Sequence, residues 1–120
     1  MESEILHIKN LRDAEEELKK LDINEVPIKL MASKAVFIVI KFKDVHPIAA
    51  NIIKQAMLSI GGETAVEHGC LNLSIDRSDI IIMGTLKQYR RLISKLKMQK
   101  NIFKVNKIVE QLNEILKDFY

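Results

Sequence analysis

The chain has 120 residues, of which 48% are hydrophobic and 29% are charged, and its formal net charge is +3 at pH 7. This length suits a single domain, and this balance is typical of a folded globular protein rather than a disordered one. The longest uninterrupted apolar run covers residues 35–40, far below the roughly 20 residues that a membrane span needs. We therefore expect no membrane partner and, with one cysteine and an N-terminus unlike a signal peptide, a cytoplasmic protein.

The first third of the chain predicts a strand, a helix and a connector. Residues 4–9 favour a short strand. Asn10 is a suitable N-cap for the helix that follows, and the apolar side chains that share one face of this helix are Leu11, Ala14, Leu18 and Leu21. Residues 26–28, Val-Pro-Ile, indicate an extended connector.

Residues 35–42, with the sequence AVFIVIKF, are apolar and β-branched on both faces. Such a strand is expected at the centre of a sheet, covered on both sides. Pro47 then suits the first turn of a helix over residues 47–60, whose apolar side chains recur at helical spacing. Because Gly61 comes directly after this helix, we expect a positive φ there, and Gly62 lets the chain reverse.

The rest of the chain predicts three short strands and two helices. The strands are residues 64–67, 70–75 and 80–83, separated by turns at residues 68–69 and 76–79. Thr85 and Gln88 have the spacing of a capping box, followed by a buried stripe of Leu86, Tyr89, Leu92, Ile93 and Leu96. Asn101 is expected to cap the last helix, whose apolar side chains are Val105, Ile108, Val109, Leu112, Ile115, Leu116 and Phe119. The order β-α-β-α-β-β-β-α-α predicts one α+β domain over residues 1–120, with helices packed on a mostly antiparallel sheet.

Few residues have the pattern of a catalytic or metal site. His7, His46 and His68 lack metal-ligand spacing to one another and to Cys70, so no metal or cofactor is predicted. His68 and Cys70 would share a face only if Gly69 continued a strand. We therefore interpret Cys70 as a structural cysteine rather than a nucleophile.

The start of the helix at Gly84-Thr85 is the best candidate for binding an anion, because free N–H groups and the positive end of the helix dipole coincide there. Gln88 and Arg90 lie in the first turns of the same helix. Gly61-Gly62, by contrast, does not match a phosphate-binding loop. An ordinary capped helix is the favoured interpretation of Gly84-Thr85, and a site for a small anion or a pterin is the alternative.

Residues 87–107 contain basic side chains and no acidic one. The basic residues are Lys87, Arg90, Arg91, Lys95, Lys97, Lys100, Lys104 and Lys107. Such a segment can face nucleic acid, but it is more often a solvated helix face. Binding of single-stranded nucleic acid also needs aromatic side chains on which the bases can stack. The aromatic residues of this segment, Tyr89 and Phe103, both fall on apolar positions. Nucleic-acid binding is therefore the less favoured alternative.

Several short segments in the middle of the chain match, in the same order, segments of a known protein family. They are Ala49-Ala50-Asn51-Ile52, Lys54-Gln55, Met57-Leu58-Ser59, Gly61-Gly62-Glu63, Ala65-Val66, Gly69, Met83-Gly84-Thr85 and Gln88-Tyr89. With this series, residues 27–99 resemble the N-terminal extension that some bacterial dihydropteroate synthases carry ahead of their catalytic barrel. The chain departs from that family at residues 99–103, where the family usually has Gln-Pro-Phe-Gly. The barrel segments Asn-x-Thr-Pro-Asp-Ser-Phe and Gly-Glu-Ser-Thr-Arg-Pro have no counterpart here.

The resemblance implies an accessory role in folate biosynthesis without catalytic residues, either as a stand-alone relative of the extension or as one domain of a longer transferase. It implies a dihydropteroate synthase barrel as partner, in cis or in trans. The candidate ligand or partner contacts are Gly61, Gly62, Glu63, His68, Gly84, Thr85, Gln88 and Arg90. We also expect a dimer, because a strand that is apolar on both faces leaves more apolar surface than one core hides.

Overall fold

A computed structural model describes residues 1–120 as five α-helices and three β-strands. The elements are α1 (Leu11–Lys19), α2 (Glu25–Ala32), β1 (Phe37–Val45), α3 (Pro47–Ser59), β2 (Glu63–Val66), β3 (Ser78–Thr85), α4 (Leu86–Lys97) and α5 (Val105–Leu116). Short 3₁₀ helices cover His68–Cys70 and Lys117–Phe119. The three strands form one antiparallel sheet in the order β1-β3-β2. The predicted α+β class, with helices packed on an antiparallel sheet, is confirmed.

The central strand is β3 and not residues 35–42. Ile82 of β3 pairs with Ile40 of β1 on one side and with Thr64 of β2 on the other. The prediction that residues 35–42 form the covered centre of the sheet is therefore wrong. Burial also alternates along β1, because only one face of the sheet is covered: Phe37 is 63% exposed while its neighbour Ile38 is buried.

The core lies between the sheet and the three helices that follow β1. α3 supplies buried side chains at Ala49, Ile53 and Met57, and the whole predicted stripe of α4 is buried. The hydroxyl of Tyr89 in α4 lies 2.9 Å from the carbonyl oxygen of Ile38 and 2.8 Å from that of Ile82. This side chain ties α4 to both β1 and β3. Its burial raises the pKa of the Tyr89 phenol above the ordinary value.

The predicted boundaries of α3 and α4 are confirmed by their hydrogen bonds. Pro47 is the first residue of α3, and the Nδ1 atom of His46 accepts a hydrogen bond from the backbone N–H of Ile48. Gly61 follows α3 with a φ of +89°. At the start of α4, the hydroxyl of Thr85 and the side chain of Gln88 form the reciprocal capping box.

The N-terminal third differs from the prediction. Residues 4–9 form no strand, because neither edge of the sheet pairs with them. Residues 26–28 are not a connector but belong to α2, where Pro27 lies in the first turn and its missing N–H has no partner to lose. α1 and α2 pack on each other, and the whole molecule measures 53 × 30 × 23 Å.

Residues 70–75 also form no strand. The chain instead makes the 3₁₀ helix His68–Cys70 and further turns, and Leu71 is 78% exposed. Cys70 is buried in place of Leu71, and its carbonyl oxygen accepts a hydrogen bond from the Asn51 amide at 2.9 Å. The alternation of apolar and polar side chains over residues 71–75 led to the prediction of a strand. The prediction is wrong because a strand also requires a pairing partner, which this segment lacks. The prediction that Asn101 caps the last helix is wrong, because α5 begins at Val105 and its N-cap residue is Lys104. The Asn101 side chain still accepts a hydrogen bond from the N–H of Asn106, in the first turn of α5.

Candidate functional site: the open face of the sheet

The structure brings together the two segments in which the family resemblance is sharpest. The side-chain amide of Gln88 donates to the carbonyl oxygen of Ile60, at the end of α3, over 3.3 Å. Met57 lies against both Gly62 and Gly84, and a β-carbon on Gly62 would come within 2.7 Å of the Met57 Cε atom. The predicted contact residues that meet at this junction of α3, β3 and α4 are Gly61, Gly62, Gly84, Thr85 and Gln88. Close packing accounts for the glycines at 62 and 84.

The first backbone N–H groups of α4 already have acceptors within the protein. Leu86 donates to the carbonyl oxygen of Val36 at 2.8 Å, Lys87 to that of Ser33 at 3.0 Å, and Gln88 to the hydroxyl of Thr85 at 3.2 Å. The sequence led us to expect free donors at Gly84-Thr85. These three N–H groups already donate to acceptors within the protein, so none of them is free to bind an anion at the start of α4.

The remaining predicted contacts have separate environments. The Glu63 carboxylate accepts a hydrogen bond from the Thr64 N–H and lies 3.2 Å from the Lys54 ammonium; these two contacts, in that order, lower the pKa of Glu63. His68 is exposed in the 3₁₀ helix after β2. The Arg90 guanidinium lies over the Tyr120 ring, 4.9 Å from its centroid.

Cys70 is a buried free cysteine, and His68 does not share a strand face with it. No group of three or more His, Cys, Asp or Glu residues is placed to bind a metal ion. None of the helices combines the length and the apolar character needed to cross a membrane.

One face of the sheet is open to solvent, and half of its side chains are apolar. The side chains on this open face are Phe37, Val39, Lys41 and Lys43 of β1, Asp79, Ile81, Met83 and Thr85 of β3, and Glu63 and Ala65 of β2. Val39 is 60% exposed and Ile81 is 37% exposed. Since Val39 pairs with Met83, and Ala65 pairs with Ile81, the apolar side chains are cross-strand neighbours and form one continuous surface.

The basic side chains of the open face lie on β1, and its acidic side chains lie on the central strand β3 and on the β2 edge. Lys41 and Lys43 lie on the β1 edge, whereas Glu63 begins β2 and Glu67 follows it. Within the chain, the Lys41 ammonium lies 3.9 Å from the Asp79 carboxylate, and both side chains are about half exposed. An ion pair so exposed contributes little stability, so both groups can take up new partners at small cost.

The sequence contained a signal for this face, although we interpreted it differently. Residues 35–42 are apolar on both faces, which we assigned to a covered central strand. The structure covers only one face, with Ile38, Ile40 and Phe42 buried. The apolar outward residues are therefore available for a partner, and large exposed apolar patches of this kind mark interaction sites.

Comparisons of the chain with protein-family models, with curated proteins and with solved structures give no match. The dihydropteroate synthase resemblance therefore rests on the sequence segments themselves. The geometry of the open face supplies the independent basis for a functional conclusion.

Proposed function

We propose that this chain is a non-catalytic interaction domain that self-associates through the open face of its sheet. The observation that carries the proposal is the exposure of Phe37, Val39 and Ile81 on one regular sheet face. Antiparallel sheets that face water usually have polar side chains on that side. Apolar side chains there stabilise the protein only when a partner removes them from water, at about 25 cal/mol for each Å² buried.

The charge pattern favours a second copy of the chain as that partner. In a two-fold dimer whose axis runs parallel to the strands, β1 of one copy lies over β2 of the other. Because Lys41 is level with Ala65 in the sheet, it would lie over the partner sheet between Glu63 and Glu67. An axis perpendicular to the strands would place β1 over β1 and the lysines near one another. The first arrangement pairs opposite charges and fits the aligned packing of two sheets.

The resemblance extends this proposal to folate biosynthesis. On that basis, the domain accompanies a dihydropteroate synthase barrel in cis or in trans, and its self-association brings two barrels together. The support is the series of matching segments, of which the Gly61-Gly62-Glu63 and Gly84-Thr85 segments form one packed junction in this fold. The junction borders the open face at Glu63 and Thr85, whereas Val39 and Ile81 lie outside the junction. The proposed dimer and barrel contacts are therefore neighbouring surfaces that different residues dominate.

Self-association is tested by sedimentation equilibrium over a wide concentration range. We expect a monomer–dimer equilibrium for the unaltered chain, and a monomer for the variant Val39→Lys/Ile81→Lys. The matched control is Val26→Lys/Leu71→Lys, which adds the same charge at two exposed apolar positions outside the open face. A monomeric unaltered chain, or equal loss of the dimer in both variants, would contradict the proposal.

The folate association is tested separately by titrating the purified domain with a dihydropteroate synthase barrel that lacks its own extension. We expect saturable binding that persists in the Val39→Lys/Ile81→Lys variant. Absence of binding would refute the association with the barrel and leave the proposed dimer standing, so the two parts fail independently.

A further inference from the structure

A cavity of about 530 Å³ lies between the end of β1, the loop before β3 and the start of α5. The basic residues in its lining are Lys41, Lys43, His46, Arg77, Lys104 and Lys107. Asp44 is the single acidic residue in the lining. We call this space the basic cavity. It is separate from the start of α4, where the sequence suggested an anion site.

Most of the cations around the basic cavity have no ion-pair partner within the protein; Lys41, which lies 3.9 Å from the Asp79 carboxylate, is the exception. Lys43, Arg77, Lys104 and Lys107 have no carboxylate within 4.0 Å, since every ion pair of the chain involves other residues. Like charges around a concave surface repel one another and raise the local positive potential. A bound anion relieves this repulsion, so the arrangement favours an anionic ligand.

One wall of the basic cavity can also recognise a planar or apolar group. The rings of His46 and Phe103 stack with centroids 3.7 Å apart and planes inclined by 17°. The Nδ1 atom of His46 accepts a hydrogen bond from the Ile48 N–H, which leaves Nε2 as the donor of a neutral ring. Ile108 and Ile115 add aliphatic surface to the same lining.

Backbone strain is concentrated around the basic cavity. Asp44, Phe103 and Lys104 have φ values of 57°, 49° and 65°, a left-handed conformation that non-glycine residues adopt at a cost. Leu73 is the one other non-glycine residue with a positive φ. The Asp44 conformation is supported by a hydrogen bond from its N–H to the Asp79 carboxylate at 3.1 Å. Such strain persists where the surrounding structure imposes it, and it is common at ligand sites.

We propose that the basic cavity binds a small organic phosphate, with the phosphate between Arg77 and Lys107 and the organic part against the His46–Phe103 stack. Its volume falls in the range of about 300–1,000 Å³ that small-molecule sites occupy, and is much larger than one inorganic ion requires. Arginine and lysine are the usual protein partners of phosphate. Lys41 and Lys43 border both the basic cavity and the open face, whereas Arg77 and Lys107, which would hold the phosphate, lie outside the open face.

The experiment uses inorganic pyrophosphate and adenosine diphosphate as probes, followed by amide chemical shifts of the whole chain. We expect saturable binding of both probes, with shift changes at residues 43–46, 77 and 103–107, and tighter binding of the nucleotide because it adds a ring. The variant Arg77→Ala/Lys107→Ala should weaken binding at least tenfold. Both residues are exposed, so we expect this variant to keep the thermal midpoint of the unaltered chain.

The control is Arg91→Ala/Lys95→Ala, which removes the same charge from the exposed side of α4. It should bind both probes like the unaltered chain. An equal loss in the two variants, or shift changes spread over residues 87–97, would show non-specific attraction and overturn the proposal. Tight binding of single-stranded RNA together with no saturation by pyrophosphate would assign the surface to nucleic acid instead, and would also overturn it.

Discussion

Met57 and Gly84 are in direct contact, and no β-carbon fits between the Met57 Cε atom and the Gly84 backbone. The contact joins the last turn of α3 to the end of the strand β3, just before α4 begins. Met57 is fully buried, so its side chain has little freedom to move aside. The Gly84-Thr85 segment, which the sequence indicated as a candidate ligand site, thus lies where α3 and β3 pack closely against each other.

We expect Gly84→Ala to lower the free energy of unfolding by about 1–3 kcal/mol, because the added methyl overpacks the Met57 site. In a Met57→Ala background the same change should cost much less, since the larger side chain is gone. Chemical denaturation of the four proteins in this double-mutant cycle measures the coupling. Additive effects of the two substitutions would show that the contact has no energetic consequence.

Gly61 gives a second stability prediction of a different kind. Its φ of +89° disfavours any residue with a β-carbon. Gly61→Ala should cost about 1 kcal/mol, and Gly61→Asn should cost less, because asparagine tolerates positive φ better. Neither variant should change the dimerisation constant, since Gly61 lies outside the open face. Unchanged stability together with lost binding to a dihydropteroate synthase barrel would instead make Gly61 a partner contact.

The Tyr89 phenol makes stability depend on pH at alkaline pH. Burial raises its pKa in the folded protein, whereas in the unfolded chain it titrates at about 10. Below pH 10 both states keep the proton, and this group contributes no pH dependence. Above it, the unfolded chain loses a proton that the folded chain retains, so stability falls as pH rises, by at most about 1.4 kcal/mol per pH unit.

Unfolding measured between pH 9 and 11 checks this effect against two matched variants. Tyr89→Phe should be less stable than the unaltered chain at neutral pH, by about 1 kcal/mol, because the hydroxyl contacts with Ile38 and Ile82 are lost. It should also lose stability less steeply above pH 10. Tyr120→Phe, at an exposed tyrosine, should keep the steep slope. Equal slopes in all three proteins would disprove the role of Tyr89.

Thr64 is fully buried in β2, and its hydroxyl has no hydrogen-bond partner. Replacing it with valine keeps the shape and removes the unpaired group, so Thr64→Val should leave the free energy of unfolding unchanged or raise it by up to about 1 kcal/mol. Thr64→Ala serves as the control, because it removes the hydroxyl and also leaves a cavity, and it should be destabilising. A marked loss in Thr64→Val would reveal a partner for the hydroxyl, such as a bound water.

Sequence patterns predicted best where many positions agree. In α3, α4 and α5 the apolar side chains recur over three or more turns, and Pro47 and the Thr85-Gln88 capping box indicate where two of these helices begin. One or two residues could not change such an assignment. The class of the fold followed from these helices together with the hydrophobic strands.

Short segments and surfaces were harder to predict, for physical reasons. Residues 4–9 and 70–75 have strand-like alternation, but whether a strand forms depends on a partner that local sequence does not show. Residues 35–42 are apolar on both faces whether the second face is covered by this chain or by another. The lining of the basic cavity comes from three distant segments, around Asp44, Arg77 and Lys104, and their convergence is a property of the fold.

The most direct test of the proposed interface is an isotope-filtered nuclear Overhauser measurement on a mixture of labelled and unlabelled chains. It detects only contacts between two copies. If the sheets face each other about a two-fold axis parallel to the strands, each residue of the central strand faces its own copy, so methyl contacts should join Ile81 to Ile81 and Met83 to Met83 of the second copy. Contacts that join Val39 to Val39, contacts confined to Val26 and Leu30 of α2, or no contacts between copies at all would contradict this arrangement.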